Sequence, residues 1–512
     1  MTATHPARDA ASGYSPTIMA KTKTFRDAAC VVLVRGHGQA LEVFWVRRGD
    51  AVPYQPGFMA FPGGKVDAAD AEFPVRGVAD DFERAARVCA VREALEETGV
   101  LVGVEGAVDP ASLASARDAL LGGRATLADV ARQHGWALRP DALTFAGRWQ
   151  TPVFASTRFD TLFFLSRLPS GQAPSVIPGE LAGGEWVKPL EALDRFRHGE
   201  LTFAAPILWT LIALAEGEEG LAGRIAQGPE RAATPVRRVE LQWGVVLHAM
   251  PTNPLPPERY TNAYLVGETE MALVDPGSGE PEHLRDLFAL TDHLASESRR
   301  VTMVVVTHHH ADHTGGVAAC RERYGARVVG HRLLSEHMKT DVVVKDGDVL
   351  PLAPGLNDWT LRVLETPGHT RDSISLWQPK RRLLFCGDLL PGGGGTVVID
   401  PPDGDMRAYL ASLERCAALE PVTLFPAHGS PTGAAVRRIR ALIAHRLERE
   451  SKVLAALDVG PRSLEDLVPR VYDDTPRELW GWAERSLLAH LEKLEREGRA
   501  ERAGQGWRAQ AR

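Results

Sequence analysis

Metal-ligating side chains are concentrated in one short stretch, His308-His309-His310-Ala311-Asp312-His313. Its first histidine, third histidine, aspartate and last histidine form an H-x-H-x-D-H pattern. The stretch follows VTMVVVT, an apolar run typical of a strand buried on both faces. Imidazole nitrogens and a carboxylate suit Zn²⁺ or another first-row metal. The pattern therefore predicts a metal site at the end of a buried strand.

Three more candidate ligands follow later predicted strands. His369 lies in Thr-Pro-Gly-His-Thr, Asp388 in Cys-Gly-Asp and His428 in Pro-Ala-His-Gly. One short loop cannot saturate two metals, whereas strand ends that share an edge can turn their side chains into a common cleft. A two-metal site therefore becomes the expectation.

With these motifs, the chain from about Trp243 to Pro431 resembles the metallo-β-lactamase superfamily, including the strand and turn Ala272-Leu-Val-Asp-Pro-Gly. The resemblance implies a central αβ/βα sandwich with its site at one edge of the two sheets. It also implies two Zn²⁺ ions, or Fe or Mn in their place. One metal would be held by His308, His310 and His369, the other by Asp312, His313 and His428, with Asp388 bridging them.

Such a site favours hydrolysis of an ester, a thioester or a phosphodiester. Two metals roughly 3.5–4 Å apart lower the pKa of a shared water and polarise the bond under attack, so a bridging hydroxide exists at neutral pH. Asp312 is predicted to act in catalysis by orienting that water. His309 has a non-ligand spacing, and His331 and His337 lie outside the motif. We expect these three to be ordinary surface or core histidines.

A second candidate site lies in Arg92-Glu93-Ala94-Leu95-Glu96-Glu97-Thr98-Gly99-Val100. Glu93, Glu96 and Glu97 are spaced i, i+3 and i+4, which places three carboxylates on one helical face. Like charges so close together call for a hard cation, and Mg²⁺ or Mn²⁺ fits. Gly99 stands where a helix end needs left-handed φ. Upstream, Phe61-Pro62-Gly63-Gly64-Lys65 is a glycine-rich loop that lets the backbone approach phosphate oxygens.

Together, FPGGK and REALEETGV resemble the Nudix hydrolases, a family that cleaves nucleoside diphosphates linked to another group. The resemblance implies that Glu93, Glu96 and Glu97 bind the metal, that Glu97 acts in catalysis and that Arg92 braces the carboxylates. Gly63, Gly64 and Lys65 would contact substrate, and Gly99 would support the helix end. The spacing departs from the family, because about 14 residues are inserted within Val66–Phe82. Counting back from Arg92, the first acidic position falls on Arg84, and Glu83 is one step off.

Strand-like and helix-like segments divide the chain into an α/β and α+β multidomain protein. Residues 1–24 are predicted to be a disordered leader, and 25–216 an N-terminal Nudix domain with an α/β/α fold. Residues 217–238 lack a clear apolar face and are predicted to be a linker. Residues 239–434 form the predicted metallo-β-lactamase domain, and 435–512 a helical C-terminal domain.

The C-terminal segment is predicted to form a helix, a turn, a helix and a small hairpin, with Leu487, Leu491 and Leu494 on one helical face. It resembles the winged-helix appendage of a β-lactamase-like endoribonuclease subfamily that acts on single-stranded RNA. That motif spans Ser463–Arg508, and the predicted helix that precedes it is basic, with Arg437, Arg438, Arg440, Arg446, Arg449 and Lys452. Such a helix either meets phosphates or is a solvated surface balanced by Glu448 and Glu450.

Composition bears on the binding partners and the cellular compartment of the protein. The formal net charge of -7 over 512 residues gives no general affinity for polyanions. The 5 cysteines form no CxxC pair, which is typical of a reducing compartment. We see no secretory signal and no apolar run long enough to span a bilayer. The sequence therefore predicts a cytoplasmic protein with no membrane partner.

The sequence predicts a bifunctional metal-dependent hydrolase whose partner is a small-molecule substrate, with nucleotides and coenzyme A derivatives as candidates. In the alternative, it is an RNA-processing endoribonuclease on single strands, with a Nudix domain that trims 5′ ends. In a third interpretation, the Nudix domain senses a nucleotide without hydrolysing it.

Overall fold

The computed structural model of the protein describes residues 25–105, 108–155, 157–353, 355–393 and 397–510. The leader predicted at residues 1–24 lies outside these ranges.

The N-terminal part is a three-layer α/β/α arrangement. Its strands are β1 Arg26–Arg35, β2 Glu42–Arg48, β3 Met59–Ala60, β4 Gly63–Lys65, β5 Val104–Glu105, β6 Ala137–Leu138, β7 Thr144–Gln150, β8 Phe159–Arg167 and β9 Leu181–Val187. Its helices are α1 Ala68–Glu72, α2 Asp81–Thr98, α3 Pro110–Leu121, α4 Leu127–His134, α5 Pro189–Arg197, α6 Ala205–Ala215, α7 Leu221–Ala226 and α8 Gly228–Arg231.

Seven of these strands form one mixed sheet with the order β3-β2-β1-β8-β7, in which β4 adds to β1 and β9 to β2. The side chains of β1 alternate, as a strand buried on both faces requires. Val31 and Leu33 pack with α2 on one face, and Val32 and Val34 pack with α6 on the other. This sandwiching fixes α2, the carboxylate helix, against the sheet.

Residues 217–238 depart from the prediction of a linker. They contain α7 and α8, and Leu221 and Ile225 are buried in the core beneath the N-terminal sheet. These two residues are spaced i, i+4, so a single short apolar stripe suffices to dock the helix. The segment belongs structurally to the N-terminal part.

The central part consists of two facing sheets with helices outside. The first sheet runs in order from β10 Val239–Gln242 through β11 Val245–Pro251, β12 Tyr260–Val266, β13 Glu270–Val274, β14 Arg300–Val305 and β15 Arg327–His331 to β16 Val342–Val344. The second runs from β17 Val349–Pro351 through β18 Thr360–Glu365, β19 Ile374–Gln378 and β20 Leu383–Gly387 to β21 Thr423–Pro426. The helices are α9 Pro281–Ser296, α10 Ala311–Thr314, α11 Val317–Tyr324 and α12 Met406–Ala418.

Alternation of buried residues again sets the layers. Val305 of β14 and Phe385 of β20 face each other's sheets in one shared core. Their neighbours Val304 and Leu384 point outward, toward α9 with α11 and toward α12 respectively. The result is the αβ/βα sandwich.

The N-terminal and central parts share a hydrophobic core. Phe58 and Phe154 of the N-terminal part pack in the same cluster as the inner faces of the sandwich, with 1% and 7% of their surface exposed. The Gly433 backbone N–H also donates to the Pro56 carbonyl at 2.9 Å. These contacts dock the first domain directly on the second.

The C-terminal part contains α13 Ala435–Leu457, α14 Leu464–Val471, α15 Trp480–Arg496 and a hairpin of β22 Ala500–Ala503 and β23 Gly506–Ala509. After α13, the order of α14, α15 and the hairpin is the one predicted for Ser463–Arg508 from the sequence. Among the described residues, no helix has the length and apolarity needed to cross a membrane.

Candidate metal centres

The histidine-rich stretch leaves the buried end of β14 and turns directly into α10. Thr307 anchors this turn, because its N–H donates to Asp275 Oδ1 at 2.8 Å and its carbonyl accepts from the Ile374 N–H at 2.9 Å. His308 is 1% exposed and His313 is fully buried. The turn that carries the histidines is therefore anchored to the ends of both sheets.

Three imidazole nitrogens converge at one point. His308 Nε2 lies 3.0 Å from His310 Nδ1, which lies 3.1 Å from His369 Nε2. His369 comes from the loop after β18, so two sheets contribute to the set. This is one of the two ligand groups expected from the sequence, brought together by the fold.

A second group lies beside the first. His428 Nε2 is 3.4 Å from Asp312 Oδ2 and 3.2 Å from Asp388 Oδ1, and His313 Nε2 is 3.5 Å from that same Oδ1. The other oxygen of Asp388, Oδ2, lies 3.7 Å from His369 Nε2 in the first group. Asp388 thus faces both groups, one oxygen to each.

The remaining nitrogen of each buried histidine has a fixed partner. His308 Nδ1 contacts Thr307 Oγ1 at 3.1 Å, and His313 Nδ1 contacts Asp275 Oδ2 at 2.9 Å. The backbone carbonyls of Val398 and Tyr260 accept from Nδ1 of His369 and of His428, each at 2.9 Å. Such contacts fix ring orientation and tautomer, and leave Nε2 of each ring for a cation.

Asp275 is a site residue that the sequence reasoning missed. It is 1% exposed, has a φ of +49° and accepts from both Thr307 and His313. Left-handed backbone in a non-glycine residue is uncommon and is found mostly at Asn and Asp. The signal available in the sequence was an acid followed by Pro-Gly directly after a strand, ahead of the histidine motif.

Burial and charge divide the cluster electrostatically. Burial lowers the pKa of His310 to about 4 and that of His308 well below its usual value, and the neighbouring imidazoles add to the effect. Burial also disfavours a charged His428, but Asp388 and Asp312 outweigh it and raise the pKa of His428 to about 10. The carboxylates of the second group thus attract positive charge, which bound cations would supply in place of protons.

The donor set fits a pair of divalent cations. His313 Nε2 and His428 Nε2 are buried and have no hydrogen-bond partner among the described residues, although both point into the cluster. An orphaned buried nitrogen is costly unless something binds it. Nitrogen and carboxylate oxygen together suit Zn²⁺, Fe²⁺ or Mn²⁺.

The three histidines expected not to be ligands, His309, His331 and His337, have partners outside the two ligand groups. His309 Nδ1 contacts Asp372 Oδ1 at 3.0 Å, and its ring stacks on His337 at 4.0 Å. His331 Nε2 lies 3.3 Å from Glu365 Oε1. Ligand atoms of His309, His310 and Asp403 also lie within 4.8 Å of one another. Since the first of these is engaged by Asp372, we assign the group no ligand role.

In the N-terminal part, Arg92 is the hub of the carboxylate cluster. Its guanidinium donates to both oxygens of Asp70 at 2.9 Å, to Glu93 at 2.8 Å and to Glu96 at 2.9 Å. The Lys65 carbonyl accepts a further bond at 3.0 Å. A planar five-donor group is suited to such a fork, so the fold gives Arg92 a bracing geometry.

The acidic partner of Arg92 lies where the sequence reasoning did not look. Arg84 pairs with Asp81, and Glu83 pairs with Arg87 at 2.7 Å, so neither replaces the missing carboxylate. Asp70 takes that place, at 2% exposure. It stands six residues after Gly64, inside the stretch to which the insertion was assigned, and counting forward from that glycine would have found it.

The glycines serve the carboxylates directly. The Gly63 N–H donates to Glu97 Oε2 at 2.8 Å, and a Cβ on Gly64 would lie 2.3 Å from Glu93 Oε1. Both glycines lie in β4, which pairs with β1, so the segment is a strand as well as a loop. Lys65 is exposed, and Gly99 ends α2 with a φ of +71°, as expected.

Burial and mutual repulsion act on these acids. Burial raises the pKa of Glu93 to about 7, and burial together with the Glu93 charge raises that of Glu97 to about 8. Among the described residues, tight groups of three ligand atoms occur only in the histidine cluster, and Glu93, Glu96 and Glu97 form no such group. Their destabilised charges nevertheless favour an oxygen-seeking cation on this face.

The cations of the basic helix α13 have different surroundings. Arg446 and Arg449 are 2% and 5% exposed, and Arg449 contacts Asp474 at 2.8 Å. Lys452 pairs with Asp473 at 2.8 Å, and Arg440 pairs with Glu414. Arg437 is exposed, so the helix keeps a solvent-facing side but presents fewer free cations than its sequence suggested.

Comparisons with known families agree with the three-part architecture. Residues 256–428 match the metallo-beta-lactamase superfamily, and 463–507 match the beta-lactamase associated winged helix domain. Residues 24–113 match the NUDIX domain, and 76–214 match the NUDT19 Nudix domain. These matches define the class: a metal-dependent hydrolase that combines a Nudix domain with a metallo-β-lactamase fold.

Curated relatives match the C-terminal half of that architecture. A Beta-lactamase-like protein 2 homolog from Drosophila melanogaster is 32% identical, over 47% of this chain and 83% of the relative. The Caenorhabditis elegans homolog is 31% identical, over 46% of this chain and 76% of the relative. The chain therefore belongs to the metallo-β-lactamase superfamily, in the family of beta-lactamase-like protein 2. An Atrochrysone carboxyl ACP thioesterase from Pseudocercospora fijiensis is 29% identical, over 41% of this chain and 62% of the relative.

Two solved structures are similar to parts of this chain. A metallo-beta-lactamase family protein from Thermus thermophilus is 27% identical over 53% of this chain and 100% of its own, with a TM-score of 0.44. A NUDIX hydrolase from Alicyclobacillus acidocaldarius is 30% identical over 42% of this chain and 98% of its own, with a TM-score of 0.32.

Proposed function

We propose that the sandwich domain is a binuclear hydrolase of small-molecule thioesters or related esters, and that the N-terminal domain hydrolyses a nucleoside diphosphate-linked substrate. The observation that supports the first activity is the pair of ligand groups that share Asp388, in which the buried Nε2 atoms of His313 and His428 face carboxylates but form no hydrogen bond among the described residues. We assign His308, His310 and His369 to one cation and Asp312, His313 and His428 to the other. Zn²⁺, Fe²⁺ and Mn²⁺ are the candidates.

A bound pair of divalent cations supplies an activated water and polarises the bond under attack. The protein's part is to hold the charges in place. Asp312 stays ionised, because its contacts with His428 and His313 outweigh burial and lower its pKa. Its side chain is 21% exposed, so a carboxylate oxygen is accessible to accept a hydrogen bond from the attacking water. Asp388 fixes the spacing between the two groups.

Two findings favour a thioester over RNA. Proteins named Atrochrysone carboxyl ACP thioesterase are 29% identical to this chain, over 41% and 42% of its length. The arginines of α13 that would have met phosphates are largely buried or paired within the chain. The affinity of single-strand binding comes mainly from cations that reach phosphates, so this surface is poorly suited to it.

For the N-terminal domain we propose Mg²⁺ or Mn²⁺ bound by Glu93, Glu96 and Glu97, with a coenzyme A-like or other nucleoside diphosphate-linked substrate. The Arg92–Asp70 pair supports this proposal, because it supplies the bracing acid that is missing from its usual place in the motif. Burial and the Glu93 charge raise the pKa of Glu97 to about 8, so a cation bound at this face would stabilise its carboxylate. A common coenzyme A-type substrate would give the two domains a reason to be fused.

Two variants separate the activities. The full-length protein, Asp312→Ala and Glu97→Gln are assayed with Zn²⁺, Mn²⁺ and Mg²⁺ on acyl thioesters, coenzyme A, dinucleoside polyphosphates and single-stranded RNA. We expect Asp312→Ala to lower thioester turnover about 100-fold or more and to spare diphosphate release. Glu97→Gln should do the reverse, so each variant is the matched control of the other.

The alternatives give different patterns on the same panel. Cleavage of single-stranded RNA that Asp312→Ala abolishes, without thioester turnover, would replace the thioesterase proposal with an endoribonuclease. Nucleotide binding without diphosphate release would make the N-terminal domain a sensor. Wild-type protein that turns over none of these substrates would refute both proposed activities.

A further inference from the structure

One metal-facing histidine depends on a backbone segment that the C-terminal domain holds. His369 Nδ1 donates to the Val398 carbonyl at 2.9 Å. Val398 lies between Asp388 and α12, in a stretch without regular secondary structure. Val397 and Ile399 on either side of it are buried in the core beside β20 and α12, but Val398 itself belongs to no strand or helix.

Two helices of the C-terminal domain form hydrogen bonds with the residues on either side of Val398. On one side, the Val397 carbonyl accepts from the Arg446 guanidinium of α13. On the other, the Ile399 N–H donates to Ser486 Oγ of α15 at 3.1 Å. Arg446 and Ser486 are 2% and 4% exposed, so both contacts lie away from water.

Further contacts join α15 to the residues that follow Ile399. Arg485 of α15 contacts Asp400 at 3.3 Å, and Arg496 pairs with Asp405, the residue that caps α12. The Asp405 N–H in turn donates to the Gly368 carbonyl at 2.9 Å, next to His369 in the chain. One face of α15 therefore tracks the whole stretch that orients this histidine.

We propose that the C-terminal domain is a positioning element of the metal centre, with Ser486 and Arg446 as the positioning residues for His369. Removing either contact frees the Val398 carbonyl to rotate, and the His369 ring then loses the partner that fixes its tautomer and aim. This inference rests on the two-cation site proposed above. It gives the appended domain a role within the hydrolase that needs no nucleic acid.

The test compares four variants of the full chain by metal binding as well as by turnover. Ser486→Ala removes the hydroxyl, Ser486→Thr retains one, and Arg446→Met removes the second contact independently. Ser463→Ala is the matched control. It removes the hydroxyl that caps α14 in the same domain, and that hydroxyl contacts Asp466 rather than residues 397–405. Metal affinity is measured by chelator competition, and the ligand field by the visible absorption of Co²⁺-substituted protein.

We expect Ser486→Ala and Arg446→Met to bind one of the two metals about 10- to 100-fold more weakly, with a changed Co²⁺ spectrum. Ser486→Thr and Ser463→Ala should stay within a few-fold of wild type. The inference is overturned if wild type binds two metals and both contact variants, folded by circular dichroism, do so equally well. It is also overturned if Ser463→Ala weakens binding as much as Ser486→Ala. Wild-type protein that binds no metal would instead refute the proposed function.

Discussion

Replacing Asp275 with Asn is expected to release one metal while leaving the fold intact. Oδ1 of Asp275 accepts from the Thr307 N–H at 2.8 Å, and Oδ2 contacts His313 Nδ1 at 2.9 Å. Asn has the same shape and tolerates the φ of +49° at this position. Its oxygen must stay toward the Thr307 N–H, because an NH₂ group there would oppose a donor. The NH₂ group then faces His313 Nδ1, which can only accept.

The consequence is a change of tautomer. When His313 Nδ1 accepts, the proton resides on Nε2, the nitrogen that faces Asp388 at 3.5 Å. A protonated Nε2 cannot bind a cation, so metal binding must first move that proton. Loss of such a partner of a ligand histidine typically costs about 10- to 100-fold in metal affinity. This corresponds to about 1.4–2.7 kcal/mol of binding free energy.

The assay is metal content per chain after equilibration with graded concentrations of chelator. We expect Asp275→Asn to lose the metal of the Asp312, His313 and His428 group first and to keep the other with wild-type affinity. Asp292→Asn is the control, since that carboxylate forms an exposed pair with Arg323 at 2.8 Å. Retention of both metals by Asp275→Asn at wild-type affinity would refute the reasoning.

Three further predictions concern the N-terminal domain and its docking. Asp70→Ala leaves the buried Arg92 guanidinium without its two-oxygen partner, so we expect the free energy of unfolding to fall by about 3–5 kcal/mol in urea titrations, and a change below about 1 kcal/mol would contradict this role. Burial and a neighbouring carboxylate raise the pKa of Glu97 from 4.5 to about 8, so the folded protein holds a proton that the unfolded chain releases in that interval. The stability of the metal-free protein should therefore fall as pH rises from 4.5 to about 8, less so in Glu97→Gln and in the presence of Mn²⁺; equal slopes in wild type and variant would be the contrary result. Gly433→Val places a Cβ 2.7 Å from the Pro56 carbonyl and should lower the melting temperature, whereas an unchanged melting curve would show that the interface yields freely.

Local patterns predicted which histidine and aspartate side chains the fold would bring together. The histidine motif, the strand ends and the glutamate spacing are properties of a few consecutive residues, and the fold brought the histidine-site residues together. The residues that orient them were harder to find. Asp275 reaches His313 across the parallel β13–β14 pair, and Val398 reaches His369 from a loop, so no fixed spacing marks either one.

Two other misses have specific physical causes. The helix after Gly220 was not predicted, because its apolar stripe consists of a single pair, Leu221 and Ile225. The sequence did not predict that Arg446 and Arg449 of α13 point inward. Long cationic side chains can bury their stems, and only the tertiary structure shows which of them do so. By contrast, Asp70 was within reach of the sequence, had the count begun at Gly64.

The aromatic residues that join the two hydrolases bear on how the gene can evolve. Splitting the chain between them would expose Phe58 and Phe154, and burying one such ring stabilises a protein by about 1.5–3 kcal/mol. A gene fission would thus produce two polypeptides that each expose apolar surface, and each would need polar substitutions there to stay monomeric.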